Sequence, residues 1–411
     1  MATIAASRSG RPASILVFLL GAAVFLNYVD RGAIGIAAPL MKSELGLSEE
    51  AYGLAFSAFF WIYAPVQFFA GWLCDRFSVY KLMAAGILLW AASTLLMGFA
   101  GGFASLLVLR VMLGVGESIS FPGSSKIIAR HVPKERRGLA NAAVAAGIAL
   151  GPAAGTLGGG LILAQWGWRS IFLVFGLVTL IWLLPWAESV RALPTGGRED
   201  QRARVPLRLL LRKWPLWSMS IVHSLGNYCF YFLLAWLPLF LTKARGFSIG
   251  EMTMLATLGY AVQGACALSY GHFSDWWTRS GRSEAACRRG MMVASQALAA
   301  LSILGLAFAH GALAIGVLLS LAGAASASLS LNLYAVAQMF AGPRASGTWV
   351  GVQNAIGNLS GILGPIVTGI VVQKAGYDSA FVLTAIIAAI GAAWWAWGVP
   401  RIQEIEFDVP D

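Results

Sequence analysis

Apolar runs about 20 residues long recur along the whole of this chain, each enough to cross a hydrocarbon core of about 30 Å. That recurrence limits the fold before any single residue is considered. Lipid offers the backbone no hydrogen-bonding partner, so such runs must be helices that satisfy their own N–H and C=O groups. Composition agrees: 58% of the 411 residues are hydrophobic and 11% are charged, against about 25% charged in soluble domains. A basic stretch from Ser7 to Ser14 precedes the first run, which continues past Ala38 without a small-residue cleavage site. It therefore reads as a retained helix and not as a cleavable signal peptide.

Reading apolar runs between loop signals gives twelve helices, at 15–40, 52–73, 80–98, 103–129, 138–163, 168–188, 214–242, 250–272, 288–309, 312–338, 346–373 and 378–399. The longest polar segment, Glu188 to Lys213, is rich in Arg, Pro and Gly. It divides the chain into a six-helix half over 1–188, a cytoplasmic linker over 189–213, and a second half over 214–411 with a short cytoplasmic tail. The net charge of +11 is scattered between the runs, which argues against nucleic acid. Arg76 and Lys81, Arg130 to Arg137, Arg191 to Lys213 and Arg279 to Arg289 fall in alternate loops. The opposite loops hold only Lys42, Arg169, Lys243, Arg245 and Lys374. By the positive-inside rule both termini are cytoplasmic, as an even number of spans requires.

The two halves repeat each other. Gly71-Trp-Leu-Cys-Asp75-Arg76 closes the second helix, and Gly271-His-Phe-Ser-Asp275 closes the eighth with Arg279 just beyond. Gly151-Pro152 in the fifth helix is echoed by Gly364-Pro365 in the eleventh. Parallel repeats of this kind imply a pseudo-two-fold body with a central site suited to alternating access. The Gly-Pro pairs interrupt backbone hydrogen bonding and let helices approach closely.

Four motifs give the chain a family resemblance. They are Asn27-Tyr28-x-Asp30-Arg31, Arg110-x3-Gly114-x2-Glu117-x4-Pro122, Gly167-Trp168-Arg169, and Gly347-Thr-Trp-Val-Gly351-Val-Gln353-Asn354-x2-Gly357-Asn358. Together they resemble the major facilitator superfamily and, within it, the anion:cation symporter family of sugar-acid transporters and sialin. The resemblance covers nearly the whole chain. It departs at Ser78, where the superfamily loop usually has Gly, and at Ser118, where the family often has Gly or Ala; Lys81 keeps the distal basic position. It implies an all-α fold of twelve spans that imports an organic anion with protons, using Asp30 and Glu117 as protonation sites.

The residues support that reading independently. A charge at membrane depth is costly unless it has a partner or lines a water-filled path. At about 1.5 Å per residue, Asp30 and Arg110 lie roughly 10–15 Å below the outer surface, so pairing between them is expected. Glu117 stands about two turns deeper than Arg110 on nearly the same face. Carboxylates with cations nearby suit proton coupling, because a neighbouring charge and desolvation pull in opposite directions. Arg110 is assigned to these acids. Arg31 is then left to bind the substrate anion through its planar fork. Asp30 and Arg31 are about 100° apart on their helix and must serve different neighbours.

Hydroxylated substrates need neutral partners. Candidates are Tyr28, Tyr63, Asn227, Tyr231, Gln263, Asn332, Gln353, Asn354 and Asn358, although amides also hold membrane helices together. Asp75, Arg76, Lys81, Asp275 and Arg279 sit at the cytoplasmic mouth as a candidate gating network. Lys126 is expected to snorkel to the interface, and Trp394, Trp395 and Trp397 to anchor there. Cys74, Cys229, Cys266 and Cys287 show no metal or redox spacing. His131, His223, His272 and His310 read as ordinary polar residues without metal-ligand spacing. No phosphate-binding loop is present, so ATP is not the expected energy source; no cofactor or metal is expected.

Other classes fit less well. An anion exchanger has no need of Asp30 and Glu117. A membrane enzyme would need a catalytic cluster, and a sensor on this fold would differ only in flux. Sugar acids such as aldonates or uronates are the favoured cargo, with dicarboxylates and aromatic acids as alternatives. Short tails, absent targeting and loops without a glycosylation sequon point to a bacterial inner membrane, and the fold to a monomer.

Overall fold

The computed structural model describes residues 10–131, 137–191 and 206–407. Thirteen α-helices run through them: α1 (Gly10–Leu45), α2 (Glu49–Arg76), α3 (Val79–Met97), α4 (Phe103–Glu117), α5 (Ser120–His131), α6 (Arg137–Trp166), α7 (Trp168–Arg191), α8 (Leu207–Leu210), α9 (Trp214–Leu239), α10 (Ile249–Arg279), α11 (Glu284–Phe308), α12 (Ala312–Gly357) and α13 (Leu359–Ala393). Single glycines in the left-handed region, Gly342 (φ 61°) and Gly376 (φ 81°), fold α12 and α13 back on themselves. With α4 and α5 in line and α8 a short linker helix, these elements make twelve spans. Their placement matches the apolar runs.

Two spans are broken where the sequence suggests continuity. The fourth stops at Glu117 and restarts at Ser120. Pro122 lacks an N–H and its ring collides with the carbonyl four residues back, which is that of Ser118. The eleventh breaks between Gly357 and Leu359, where the Asn358 N–H closes the first piece on the Asn354 carbonyl at 2.9 Å. Two carbonyls near this break are taken by α9: Ser224 Oγ donates to Ile356 O at 3.1 Å, and Asn227 Nδ2 to Gly357 O at 3.3 Å. Polar side chains thus satisfy groups that lipid would leave orphaned.

The chain divides into two compact units, one of 1–47 with 58–200 and the other of 48–57 with 201–411. The candidate linker over 189–213 falls mostly outside the described residues. In the first unit α1 packs on α6 and α7, and α3 on α4 and α7; in the second α9 packs on α12 and α13, and α11 on α12 and α13. Large apolar side chains such as Phe18, Leu88, Leu161, Ile181, Leu301 and Leu363 stand exposed along the helices. An apolar exterior on helices of this length is what hydrocarbon selects.

The α1–α6 contact is backbone on backbone. A Cβ added at Gly147 would lie 2.8 Å from Gly21 O, one at Gly151 2.5 Å from Tyr28 Cβ, and one at Gly155 2.8 Å from Val29 O. Small residues four apart let membrane helices touch along a whole face. That contact fixes the rotation of α1 and so the direction in which its polar residues point.

Candidate functional site

Four ionisable residues of the first unit come together in its interior. Asp30, Arg31, Arg110 and Glu117 are each 5% exposed or less. The 100° step between Asp30 and Arg31 sends them to different helices, as helical geometry requires. Asp30 turns to α3, where Trp90 Nε1 donates to its Oδ2 at 2.5 Å and Thr94 Oγ1 donates to the same atom at 3.2 Å. Arg31 turns to α4 and donates from Nε to Glu117 Oε2 at 3.0 Å. Its guanidinium lies over three rings, at 5.0 Å from Tyr28, 5.1 Å from Phe59 and 4.6 Å from Tyr63. Arg110 lies 5.1 Å from the same Phe59 ring.

Glycines on α4 make these contacts possible. A Cβ at Gly114 would lie 2.3 Å from Phe59 O on α2, and one at Gly116 would lie 2.6 Å from both Gly86 O and Trp90 N on α3. With the helices this close, Trp90, Phe59 and Glu117 reach one small volume. Breaking a buried ion pair of this kind costs about 3–5 kcal/mol, since one charge is left unpaired.

This arrangement alters two expectations. Glu117 takes Arg31, the residue that the sequence reserves for the substrate. Spacing along α4 shows that Arg110 and Glu117 share a face, but not which neighbouring helix that face meets. Asp30, expected to pair with Arg110, has its Oδ2 held by two neutral donors from α3. Lys126 Nζ donates to Cys74 O near the end of α2 at 2.7 Å.

The second unit gathers neutral groups. Tyr231 OH donates to Asn358 Oδ1 at 2.6 Å, Asn358 Nδ2 to Asn354 O at 2.8 Å, and Tyr334 OH to Asn354 Oδ1 at 3.0 Å. Asn227 joins this cluster through Gly357 O. Here Tyr334 is a member that the sequence reading passes over, because a lone tyrosine in an apolar run carries no distinguishing signal. His223 is buried against Gly357, where an added Cβ would lie 2.5 Å from the imidazole, and edge-on to Tyr334 at 5.8 Å.

Other candidates lie apart from these clusters. Gln353 is fully buried and accepts from Trp349 Nε1 at 3.1 Å. Gln263 lines a small, mostly apolar crevice with Phe230, Tyr260 and Leu319. Asn332 accepts from Arg288 Nη1 at 2.9 Å near the start of α11. Lys81 and Arg279 are exposed. The side chains of Asp75, Arg76 and Asp275 lie outside the described residues.

Comparison with known proteins completes the picture. The sequence profile of the Major Facilitator Superfamily matches residues 20–283 and 280–406. The chain is 30% identical over 388 residues to the probable sulfoacetate transporter SauU of Cupriavidus necator, covering 90% of this chain and 89% of that one. It is 28% identical to the probable galactarate/D-glucarate transporter GudP of Bacillus subtilis, covering 91% and 90%. Identity to the hexuronate transporter of Bacillus subtilis is 26%, covering 94% of each. The fold is similar to that of a bacterial homologue of the human lysosomal transporter Spinster in its inward-facing, unoccupied conformation. That match has a TM-score of 0.78 at 20% identity and covers 96% of this chain and 98% of the other. A multi-pass helical fold, a family profile over almost the entire length and relatives named as transporters lead to one statement. The chain belongs to the major facilitator superfamily, and it is a membrane transporter and not an enzyme.

Proposed function

We propose that this transporter imports an organic anion, a sugar acid of the aldonate or uronate class, by proton symport. The observation that carries the reading is the buried ion pair between Arg31 and Glu117. A carboxylate substrate and an ionised Glu117 compete for one guanidinium. Protonating Glu117 removes its claim, and Arg31 then takes the substrate through its two-pronged fork. Charge balance points the same way. Asp30 and Glu117 offset Arg31 and Arg110, so adding an anion alone would leave net negative charge at membrane depth, and a proton cancels it.

The neutral cluster of Asn227, Tyr231, Tyr334, Asn354 and Asn358 supports a hydroxylated substrate, since these groups both donate and accept. Relatives named for glucarate and hexuronate support the same class. The basic loops support cytoplasmic termini, placed here in a bacterial inner membrane, with the monomer as the working unit.

The test is uptake into proteoliposomes of labelled aldonates, uronates, dicarboxylates and aromatic acids under an inward proton gradient. Concentrative uptake by the wild type, lost in Asp30→Asn and Glu117→Gln while counterflow persists, is the expected result. Uptake that ignores protons and requires an internal anion would replace symport with exchange. Uptake driven by sodium instead would keep the carrier and change the coupling ion.

A further inference from the structure

The two buried acids of this site are held differently. Glu117 faces a cation, whereas Asp30 is gripped at a single oxygen by two neutral donors, the indole N–H of Trp90 and the hydroxyl of Thr94. Its other oxygen, Oδ1, is buried and makes no hydrogen bond among the described residues. Trp90 and Thr94 are four residues apart and therefore present to one side of α3. Trp90 is itself fully buried, with its backbone pressed on Gly116, so the indole has little room to move.

We propose that Trp90 and Thr94 are positioning residues for proton exchange at Asp30: they fix the carboxyl group by Oδ2 and reserve Oδ1 as the atom that takes the proton. A proton added at Oδ1 leaves both donor contacts in place. Loading and release then need no rotation of the side chain, and Asp30 keeps its direction through the cycle. The other ionisable groups of the cluster are Tyr28 and Arg31 on the same helix, Tyr63 on α2, and Arg110 and Glu117 on α4. Between residues 138 and 166 of α6, and between 170 and 187 of α7, the sequence has no ionisable side chain. The α3 donors are thus the contacts of Asp30 that can be altered without changing the charge of the site. The inference rests on the reading of Asp30 as a proton-coupling residue, but its test does not depend on flux.

That test is an infrared pH titration of the Asp30 carboxyl in the full-length transporter, its band identified by loss in Asp30→Asn. Both donors favour the ionised form, and a hydrogen bond to a charged group is strong enough to move a titration by about one pH unit. Thr94→Val and Trp90→Phe should each raise the midpoint by about that amount, and Thr94→Ser should restore the wild-type curve. Thr94→Val is nearly isosteric and keeps the test intact if the tryptophan variant misfolds. Unchanged midpoints in the variants that fold would overturn the proposal. A liposome assay showing no proton-driven uptake would overturn symport alone, leaving the positioning role of Trp90 and Thr94 at Asp30 to be decided by the titration.

Discussion

Asn27-Tyr28-Val29-Asp30-Arg31 on α1 and Asn227-Tyr228-Cys229-Phe230-Tyr231 on α9 occupy equivalent places in the two units. Each begins with Asn-Tyr, and each tyrosine packs on the glycine of a Gly-Pro pair: Tyr28 on Gly151, Tyr228 on Gly364. Then they part. The first continues with an acid and a base, and its Arg31 reaches Glu117 on α4. The second continues with two aromatics, and its Tyr231 reaches Asn358 at the break before α13. One scaffold therefore carries two chemistries. Repeat symmetry determines where these side chains stand, and a two-residue difference decides whether the position bears charge. Charge is costly at this depth and comes with partners already in place, whereas neutral hydrogen bonding is cheap and tolerates a more open network.

The sharpest way to break this comparison is Arg31→Tyr, which makes the first unit resemble the second. Glu117 is left buried without its cation, at a cost of about 3–5 kcal/mol. Uptake should vanish and the melting temperature fall. Adding Glu117→Gln should recover the melting temperature in a fluorimetric scan but not the uptake. If the single variant is as stable as wild type, the ion pair is not the organising contact claimed here.

The shared glycine seat provides the next test. Gly151→Ala places a methyl group 2.5 Å from Tyr28 Cβ, whereas Gly364→Ala places one 3.2 Å from the Tyr228 ring. Overpacking costs about 1–3 kcal/mol, and the first variant should sit at the upper end. Equal losses of thermal stability would show that the two seats differ less than their distances suggest.

Tyr231→Phe is a milder change. Losing its hydrogen bond to Asn358 costs about 1 kcal/mol. The KM for a polyhydroxylated anion should rise about fivefold, from the usual 1.4 kcal/mol per tenfold, with little change for an anion without hydroxyls. An equal rise for both would assign Tyr231 to helix packing.

The smallest effects are expected at the outer ties, which also mirror each other. Arg169 on α7 binds Glu44 at 2.8 Å and the carbonyls of Gly98 and Ala100. Arg245, after α9, binds Asp378 at 2.7 Å and the carbonyls of Ala307 and Ala309. Both ties gather the turn between the third and fourth helix of their repeat. The acid comes from the first helix of the repeat in one case and from its last in the other. Since both acids are more than half exposed, Glu44→Gln and Asp378→Asn should each cost below about 1 kcal/mol. A larger loss on thermal unfolding would mean that the carboxylates, and not the carbonyl contacts, hold the turns.

Much of this was legible in the sequence. Spans were readable because lipid demands long apolar runs, and Asp30, Arg31, Arg110 and Glu117 were conspicuous because charge is rare in such runs. Pairing was not legible. Arg31 and Glu117 are 86 residues apart, and which faces meet depends on glycine contacts between helices. Trp90 and Thr94 were overlooked for another reason: a tryptophan and a threonine in an apolar run look like packing residues. Their four-residue spacing was the available clue, and it becomes informative only once α3 is known to face α1. The break after Glu117 was foreshadowed by Pro122, whose effect falls on the residue four earlier.

The single-glycine turns at Gly342 and Gly376 have a practical consequence for tagging. Both need a residue that tolerates positive φ, but their surroundings differ. Glu404 is pressed on Gly342, where an added Cβ would lie 2.0 Å from its carboxylate oxygen, whereas nothing lies within 4 Å of one at Gly376. Exposed tips with open space accept inserted sequence and buried corners do not. A reporter epitope or fluorophore site therefore belongs beside Gly376, and the Gly342 corner should be left untouched.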